Sequence, residues 1–186
     1  RNGSSDVSRY LYGGGIAGRV YGEVSNCTMY ASLTNRSSCL QQFIGGVVGN
    51  VQATATISNC ANEGTDIAAG TTSLGYYQAR NNNIGGVIGV TYSTALSQLS
   101  NKATINCSRT NNNQSTTLRI GGIIGWLDVE GSIDGNGTIV NYGEVQQNNT
   151  TSLKYTALGG IVGETKASLS NIVNEGKVNK EGKGLL

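Results

Sequence analysis

The chain has 186 residues, with 13 Lys and Arg against 11 Asp and Glu, a net charge of +2, 28 glycines and neither proline nor histidine. The scattered charges form no basic patch interleaved with aromatic residues, which argues against nucleic-acid binding. No apolar run approaches the roughly 18 residues that span a bilayer, and the abundance of β-branched residues argues against helices. The first residue is Arg, so we expect a processed product whose targeting segment is missing.

In chain order, the first feature is a glycine-rich apolar segment that occurs five times. It reads GGIAG from Gly14, IGGVVG from Ile44, IGGVIG from Ile84, IGGIIG from Ile120 and LGGIVG from Leu158. Aligned on the second glycine of each pair, successive copies are 31, 40, 36 and 38 residues apart. Such spacing is typical of stacked supersecondary units. It predicts one repeat domain over residues 1–186, a module of a longer or self-assembling protein, with units of about 13–43, 44–83, 84–119, 120–157 and 158–183.

Two further landmarks follow each glycine segment. A third element, Asn-x-Gly-x-apolar, is clearest as NYGEV from Asn141 and NEGKV from Asn174. Before it, nine to eleven residues after the second glycine, comes an apolar residue that opens the tripeptide VSN, ISN or LSN in three units. These apolar positions are Val24, Ile57, Leu96, Ile133 and Leu169. Each unit therefore predicts short strands separated by a turn and an Asn/Gly corner.

A unit of this kind cannot bury its own apolar face, but stacked units can, by parallel pairing of equivalent strands about 4.8 Å apart. The pattern thus predicts an all-β fold, a β-solenoid of about five stacked repeats, with its handedness left open. Asparagines at equivalent corners would form a ladder of side-chain amides. Polar inserts rich in Asn, Ser and Thr would project as loops or hairpins at residues 65–83, 107–119 and 146–156.

The GGxxG, SN and NxGxV landmarks together resemble the GLUG-type glycine-rich repeats of bacterial secreted and cell-surface proteins, which include adhesins and surface-anchored proteases. The resemblance covers residues 13 to 183, although the inserts are longer than in compact repeats and the first unit lacks the Asn-x-Gly corner. It implies a β-helix-like module at the cell surface. It implies no activity, because in those proteins the repeats flank the catalytic part.

The four cysteines lack both the CxxC spacing and the histidines of a zinc site. Cys27 and Cys60 follow the same SN in consecutive units, where stacking brings them to a distance compatible with a disulfide. We therefore predict a Cys27–Cys60 bond, with Cys39 and Cys107 as the second pair and free buried thiols as the alternative. Disulfides would indicate an oxidising compartment.

Asn-x-Ser/Thr sequons are about twice as frequent as the roughly four that chance would give for this composition. In a eukaryotic secreted protein several would carry glycans, and most are predicted to lie in exposed inserts or corners. The candidate N-glycosylation sites are Asn2, Asn26, Asn35, Asn106, Asn113, Asn136, Asn148 and Asn149.

Catalytic constellations are sparse. The glycine segments lack the strand–helix context and the acidic residue of a dinucleotide site, so we interpret them as close backbone approach at a corner. Asp128, Glu130 and Asp134 are the only acidic cluster. Asp128 and Glu130, two apart on a predicted strand, would share a face and could act as an acid/base pair or bind Ca²⁺, but the sequence favours a solvated turn. The run DGNGT from Asp134 lacks the remainder of an EF-hand loop.

The sequence therefore favours a non-enzymatic extracellular module, such as a filament subunit, stalk or adhesin segment, that needs no cofactor. Its partners would be further copies end to end or neighbouring repeats of a longer chain, without membrane insertion. The alternative is a glycan-binding solenoid that stacks sugars on Tyr76, Tyr77 and Trp126, with Tyr142 and Tyr155 nearby. The third option is a polysaccharide-active β-helix enzyme. Ice binding is disfavoured because the Thr-x-Thr motif at Thr54 does not recur.

Overall fold

The computed structural model describes residues 10–35, 39, 41–71, 81–109, 117–148 and 155–181. These residues form only β-strands and connections, and no helix among them is long and apolar enough to cross a membrane. The strands stack in parallel as a β-solenoid of five repeats, which confirms the predicted fold class.

Each repeat contributes one strand to each of four parallel five-stranded sheets. The first repeat holds β1 (Tyr10–Gly14), β2 (Ala17–Val20), β3 (Glu23–Met29) and β4 (Leu33–Asn35). The second holds β5 (Gln41–Gly45), β6 (Val48–Val51), β7 (Thr56–Asn62) and β8 (Asp66–Thr71). The third holds β9 (Asn81–Gly85), β10 (Ile88–Thr91), β11 (Leu96–Asn101) and β12 (Thr104–Arg109). The fourth holds β13 (Thr117–Gly121), β14 (Ile124–Leu127), β15 (Ser132–Asp134), β16 (Val140–Asn141) and β17 (Val145–Asn148). The fifth holds β18 (Tyr155–Gly159), β19 (Val162–Thr165), β20 (Ser168–Ser170), β21 (Val173–Asn174) and β22 (Val178–Glu181).

We number the sheets by the order in which the chain enters them: sheet 1 begins with β1, sheet 2 with β2, sheet 3 with β3 and sheet 4 with β4. Strands β15 and β20 form an additional two-stranded sheet. Residues that share a register position through one stack are called a column. Parts of the predicted inserts are strands of the solenoid. Residues 66–71, 104–109 and 145–148 pair in sheet 4, and residues 81–83 and 117–119 pair in sheet 1.

The glycines form the corner between sheets 1 and 2. At the second glycine of the third repeat, Gly86, a Cβ atom would lie 2.0 Å from the carbonyl oxygen of Gly122 and 2.4 Å from the Asn101 Cγ. At the third glycine of the segment, Gly89, it would lie 2.5 Å from the backbone nitrogen of Ile44. Neither glycine has a positive φ. The glycines are therefore needed for close backbone approach, as the sequence predicts.

An asparagine ladder runs through the corner between sheets 3 and 4. The Nδ2 of Asn62 donates to Oδ1 of Asn101 (3.0 Å), Asn101 to Asn141 (2.9 Å) and Asn141 to Asn174 (2.9 Å). Asn62, Asn101 and Asn141 are fully buried. The ladder bonds satisfy their side-chain amides, which would be costly to bury without hydrogen-bond partners. Met29 occupies the same column in the first repeat. The predicted ladder is confirmed for four of the five repeats.

The SN tripeptides mark a second corner, within or beside the strands of sheet 3. One residue per repeat has a left-handed backbone there, and the φ angles lie between 45° and 56°. Asparagine tolerates this conformation better than other residues with a side chain do. The five residues are Asn26, Asn59, Gln98, Asn136 and Asn171.

The core consists of two apolar clusters. One, between sheets 2 and 3, contains Val48, Ile57 and Ile88, and the other, between sheets 1 and 4, contains Ile44 and Ile67. The chain crosses from one cluster to the other at the double glycine and at the ladder asparagine. These two crossings touch, because the asparagine side chains lie against the second glycines. The contact therefore divides the interior into two lobes.

Candidate interaction surfaces

The two ends of the stack carry edge strands, and several apolar side chains of the outer repeats are exposed. Strands β1–β4 lie at one edge of the four sheets, and β18, β19, β21 and β22 lie at the other. In the interior repeats the corresponding apolar columns are buried. Val47, Val87 and Ile123, for example, are 0% exposed, whereas Ile16 of the same column in the first repeat is 47% exposed. The large apolar side chains exposed in the outer repeats are Tyr10, Ile16, Tyr21, Tyr30, Tyr155, Val173 and Val178.

A lateral cleft of about 510 Å³ opens beside sheets 1 and 2 in the first three repeats. Its wall is a row of stacked aromatic rings, with centroids 6.2 Å apart for Tyr10 and Tyr12 and 5.4 Å apart for Tyr12 and Phe43. Asn50 and Gln52 add side-chain amides. Such a wall combines aromatic surface with hydrogen-bonding groups.

Arg19 supplies the charge of this cleft. Its guanidinium carbon lies 5.2 Å from the ring centroid of Tyr12 and 4.9 Å from that of Tyr21, and its Nη2 donates to Oε1 of Gln52 (3.1 Å). The ion pairs of the described residues join Arg19 to no carboxylate. Aromatic faces and an amide therefore hold the cation in place without neutralising it.

The same pair of sheets carries a neutralised counterpart at the opposite end. The Arg119 guanidinium lies 4.1 Å from the ring centroid of Trp126, and its Nε is 2.5 Å from Oε2 of Glu164. Burial and the nearby Glu164 carboxylate raise the pKa of Tyr155, whose ring centroid is 5.9 Å from Arg119. The half-buried Trp126, a predicted sugar-stacking residue, thus already has a cation against one face, and its buried Nε1 has no hydrogen-bond partner among the described residues.

The predicted acidic cluster is divided among separate local contacts. Asp128 forms an ion pair with Lys166 (2.5 Å), and hydrogen bonding to this carboxylate raises the pKa of Lys166. Asp134 accepts hydrogen bonds from the backbone N–H of Asn136 and from Nδ2 of Asn171, both at 2.9 Å, and these bonds lower its pKa. No group of three potential metal ligands occurs among the described residues.

The structure contains neither predicted disulfide, since none of the four cysteines is bonded to another. Cys27 and Cys60 are register partners in β3 and β7, as the stacking predicts. Their thiols instead donate to backbone carbonyls, that of Cys27 to Ser25 (3.3 Å) and that of Cys60 to Ser58 (3.2 Å). Burial raises the pKa of the Cys60 thiol. Cys39 and Cys107 do not form the second predicted bond.

The described sequons differ in their exposure. Asn26 and Asn136 are exposed at left-handed corners, and Asn106 and Asn148 are half-buried. Asn35 is 8% exposed and its Nδ2 donates to Oε1 of Gln42 (2.6 Å). Its side chain is therefore buried, whereas the sequence predicts an exposed glycan site there. The remaining candidates, Asn2, Asn113 and Asn149, and the stacking candidates Tyr76 and Tyr77 lie outside the described residues.

Sequence reasoning missed the cleft and the two arginine clusters. The signal lies in one column of sheet 1, which contains Tyr12, Phe43, Asn83, Arg119 and Ala157. This column varies in residue type while the isoleucine and glycine columns beside it stay almost constant. Aligning the units on the double glycine and comparing the columns would have singled out this variable column.

Comparison of the chain with protein-family models, curated proteins and solved structures finds no match in any of the three. Membership in the GLUG-type repeat family therefore stays a prediction, and the β-solenoid fold is what the structure itself establishes.

Proposed function

We propose that the chain is a non-enzymatic structural or interaction module, located outside the cell, whose ends accept further solenoid repeats. The observation that carries this proposal is the difference between interior and outer repeats. Several apolar columns that are buried through the second to fourth repeats become exposed in the first or the fifth repeat, for example at Ile16 and Val178, beside the edge strands of the described sheets. Covering these ends would bury apolar surface and continue four hydrogen-bonded ladders.

The polar chemistry of the described residues supports a structural role. Asp128, one residue of the acidic cluster, is held by Lys166, and the buried Asn62, Asn101 and Asn141 are used in the ladder. These groups stabilise the coil. A filament subunit, a stalk or an adhesin segment would each use such a module, as the resemblance to surface-protein repeats implies.

The cleft beside Arg19 favours a second candidate function, the binding of an acidic saccharide. Sugar rings would pack on Tyr10 and Tyr12, and a carboxylate would bind the guanidinium. Binding of a polyuronate that is weakened by R19Q would support this candidate.

The test of the stacking proposal is association of the full chain in solution, measured by sedimentation velocity over a range of concentrations. We expect oligomers whose population rises with concentration. Val178 is 42% exposed at the outer edge of an apolar column that also contains Val145, Ile105 and Ile67. V178K places an ammonium group on that surface and should weaken association about tenfold or more.

The matched control is T56K, which adds the same charge at an exposed position of the second repeat, away from both ends. It should associate like the unmodified chain. A chain that remains monomeric at every concentration would contradict assembly from copies of this chain alone.

A further inference from the structure

The translational stacking of the repeats predicts what a second copy would meet at either end. All strands of the stack pair in parallel, and the pairing recurs from one repeat to the next. A second copy in the same orientation can therefore continue the stack, and the fifth repeat of one copy can pair with the first repeat of the next as β14 pairs with β19. Each column would then pass from one copy to the other. The residues that meet are those of the first and fifth repeats that share a column.

One column of sheet 2 joins opposite charges in this way. It contains Arg19, Asn50, Val90, Trp126 and Glu164, in order of repeat. Stacking places Glu164 of one copy one strand spacing, about 4.8 Å, from Arg19 of the next. No ion pair joins Arg19 to a carboxylate among the described residues, while the Glu164 side chain keeps 28% exposure beside Arg119.

Apolar columns agree with the same register. Tyr155 and Tyr10, 45% and 48% exposed, share the outermost column of sheet 1. Val178 shares a column of sheet 4 with Leu33, and Ile161 shares the corner column with Ile16. In these three columns, stacking in register would therefore match aromatic with aromatic and aliphatic with aliphatic side chains.

We propose that the fifth repeat of one copy stacks in register on the first repeat of a second copy, with Glu164 of the one forming an ion pair with Arg19 of the other. Glu164 then lies between Arg119 of its own chain and Arg19 of the neighbour. This inference rests on the proposed stacking function and adds its partner and its register. Because the two surfaces differ, the contact is heterologous and leads to an open filament.

The test is a charge swap in the full chain. R19E places two acidic side chains in contact across the junction, and E164K places two basic ones there, so each variant alone should associate about tenfold or more weakly than the unmodified chain. Mixing R19E with E164K restores opposite charges at every junction. We expect the equimolar mixture to regain the sedimentation profile of the unmodified chain, with the two variants alternating.

Two controls separate folding from association. Circular dichroism melting of each variant verifies the fold, because E164K also removes the ion pair with Arg119. If E164K unfolds, E164Q replaces it. E164Q alone should associate more weakly than the unmodified chain, and added salt should not weaken its association further.

The outcomes distinguish this inference from the function on which it rests. If the unmodified chain associates and R19E, E164K and their mixture associate equally well, the register is overturned and the stacking function still stands. A chain that never associates would overturn this inference together with assembly from copies of this chain, and Arg19-dependent polyuronate binding by that monomer would assign the cleft to a saccharide instead.

Discussion

At the scale of single residues, the ladder asparagines determine how the corner between sheets 3 and 4 is built. Asn101 and Asn141 each bond to the repeat before, to the repeat after and to their own corner, whereas Asn62 has Met29 before it and bonds to its own corner and to the repeat after. Asn101, for example, accepts from Asn62 and donates to Asn141 and to the carbonyl of Ala103. Burying such amides is favourable only while all of them are paired.

Removing one ladder amide should therefore destabilise the coil strongly. We expect N101A to lower the free energy of unfolding by about 2–4 kcal/mol, because it deletes three hydrogen bonds and leaves neighbouring amides unpaired in the interior. N174A is the matched variant at the exposed end of the ladder, where only one inter-repeat bond is lost, and should cost about 1 kcal/mol or less. Urea denaturation measures both, and equal losses would contradict a cooperative ladder.

At the scale of elements, the corners explain which parts of the repeat the sequence predicts. The double glycine and the SN tripeptide each meet a backbone requirement that few residues satisfy, so they recur visibly and locate the corners. The arginine clusters depend on side-chain conformations and on residues far apart, such as Arg119 and Glu164. No local pattern encodes that contact.

The cysteines show a related limit. Position in the sequence correctly predicts that Cys27 and Cys60 are register partners. It does not determine where the sulfur atoms point, and both thiols bond to carbonyls of their own strands. The ends of the inserts were missed as strands because their polar composition hides the pairing in sheets 1 and 4.

The left-handed corner makes a prediction of its own at this scale. Gln98 holds a φ of 52° in the column where other repeats place asparagine. Q98G should raise the free energy of unfolding by about 0.5–1 kcal/mol, because glycine adopts this conformation without a Cβ clash.

N59G is the control for Q98G, because asparagine already tolerates the corner and its Nδ2 donates to Oδ1 of Asn26 (2.7 Å). It should give no gain. Thermal melting compares the two variants, and a loss of stability in Q98G would contradict the assignment of strain to this corner.

At the scale of the whole molecule, the repeats differ mainly in position. Interior repeats are covered on both sides, whereas the first and fifth present exposed apolar columns. The same sequence pattern thus stabilises the centre of the stack and leaves two unlike surfaces at its ends. Assembly is expected to depend on those surfaces, and the lateral columns remain available for variation.

The contact between the second glycines and the ladder asparagines has a consequence for energetic coupling. Ile57 and Ile67 belong to the same repeat but to different lobes, whereas Ile67 and Ile105 are register partners within one lobe. In double-mutant cycles of Ile→Val substitutions, the first pair should be additive, and the second should show a coupling energy of about 0.5 kcal/mol or more. Side chains would then be coupled more strongly to the next repeat of the same lobe than to the other lobe of their own repeat. The solenoid would behave as two parallel apolar cores, separated by the backbone of the glycines and the amides of the ladder.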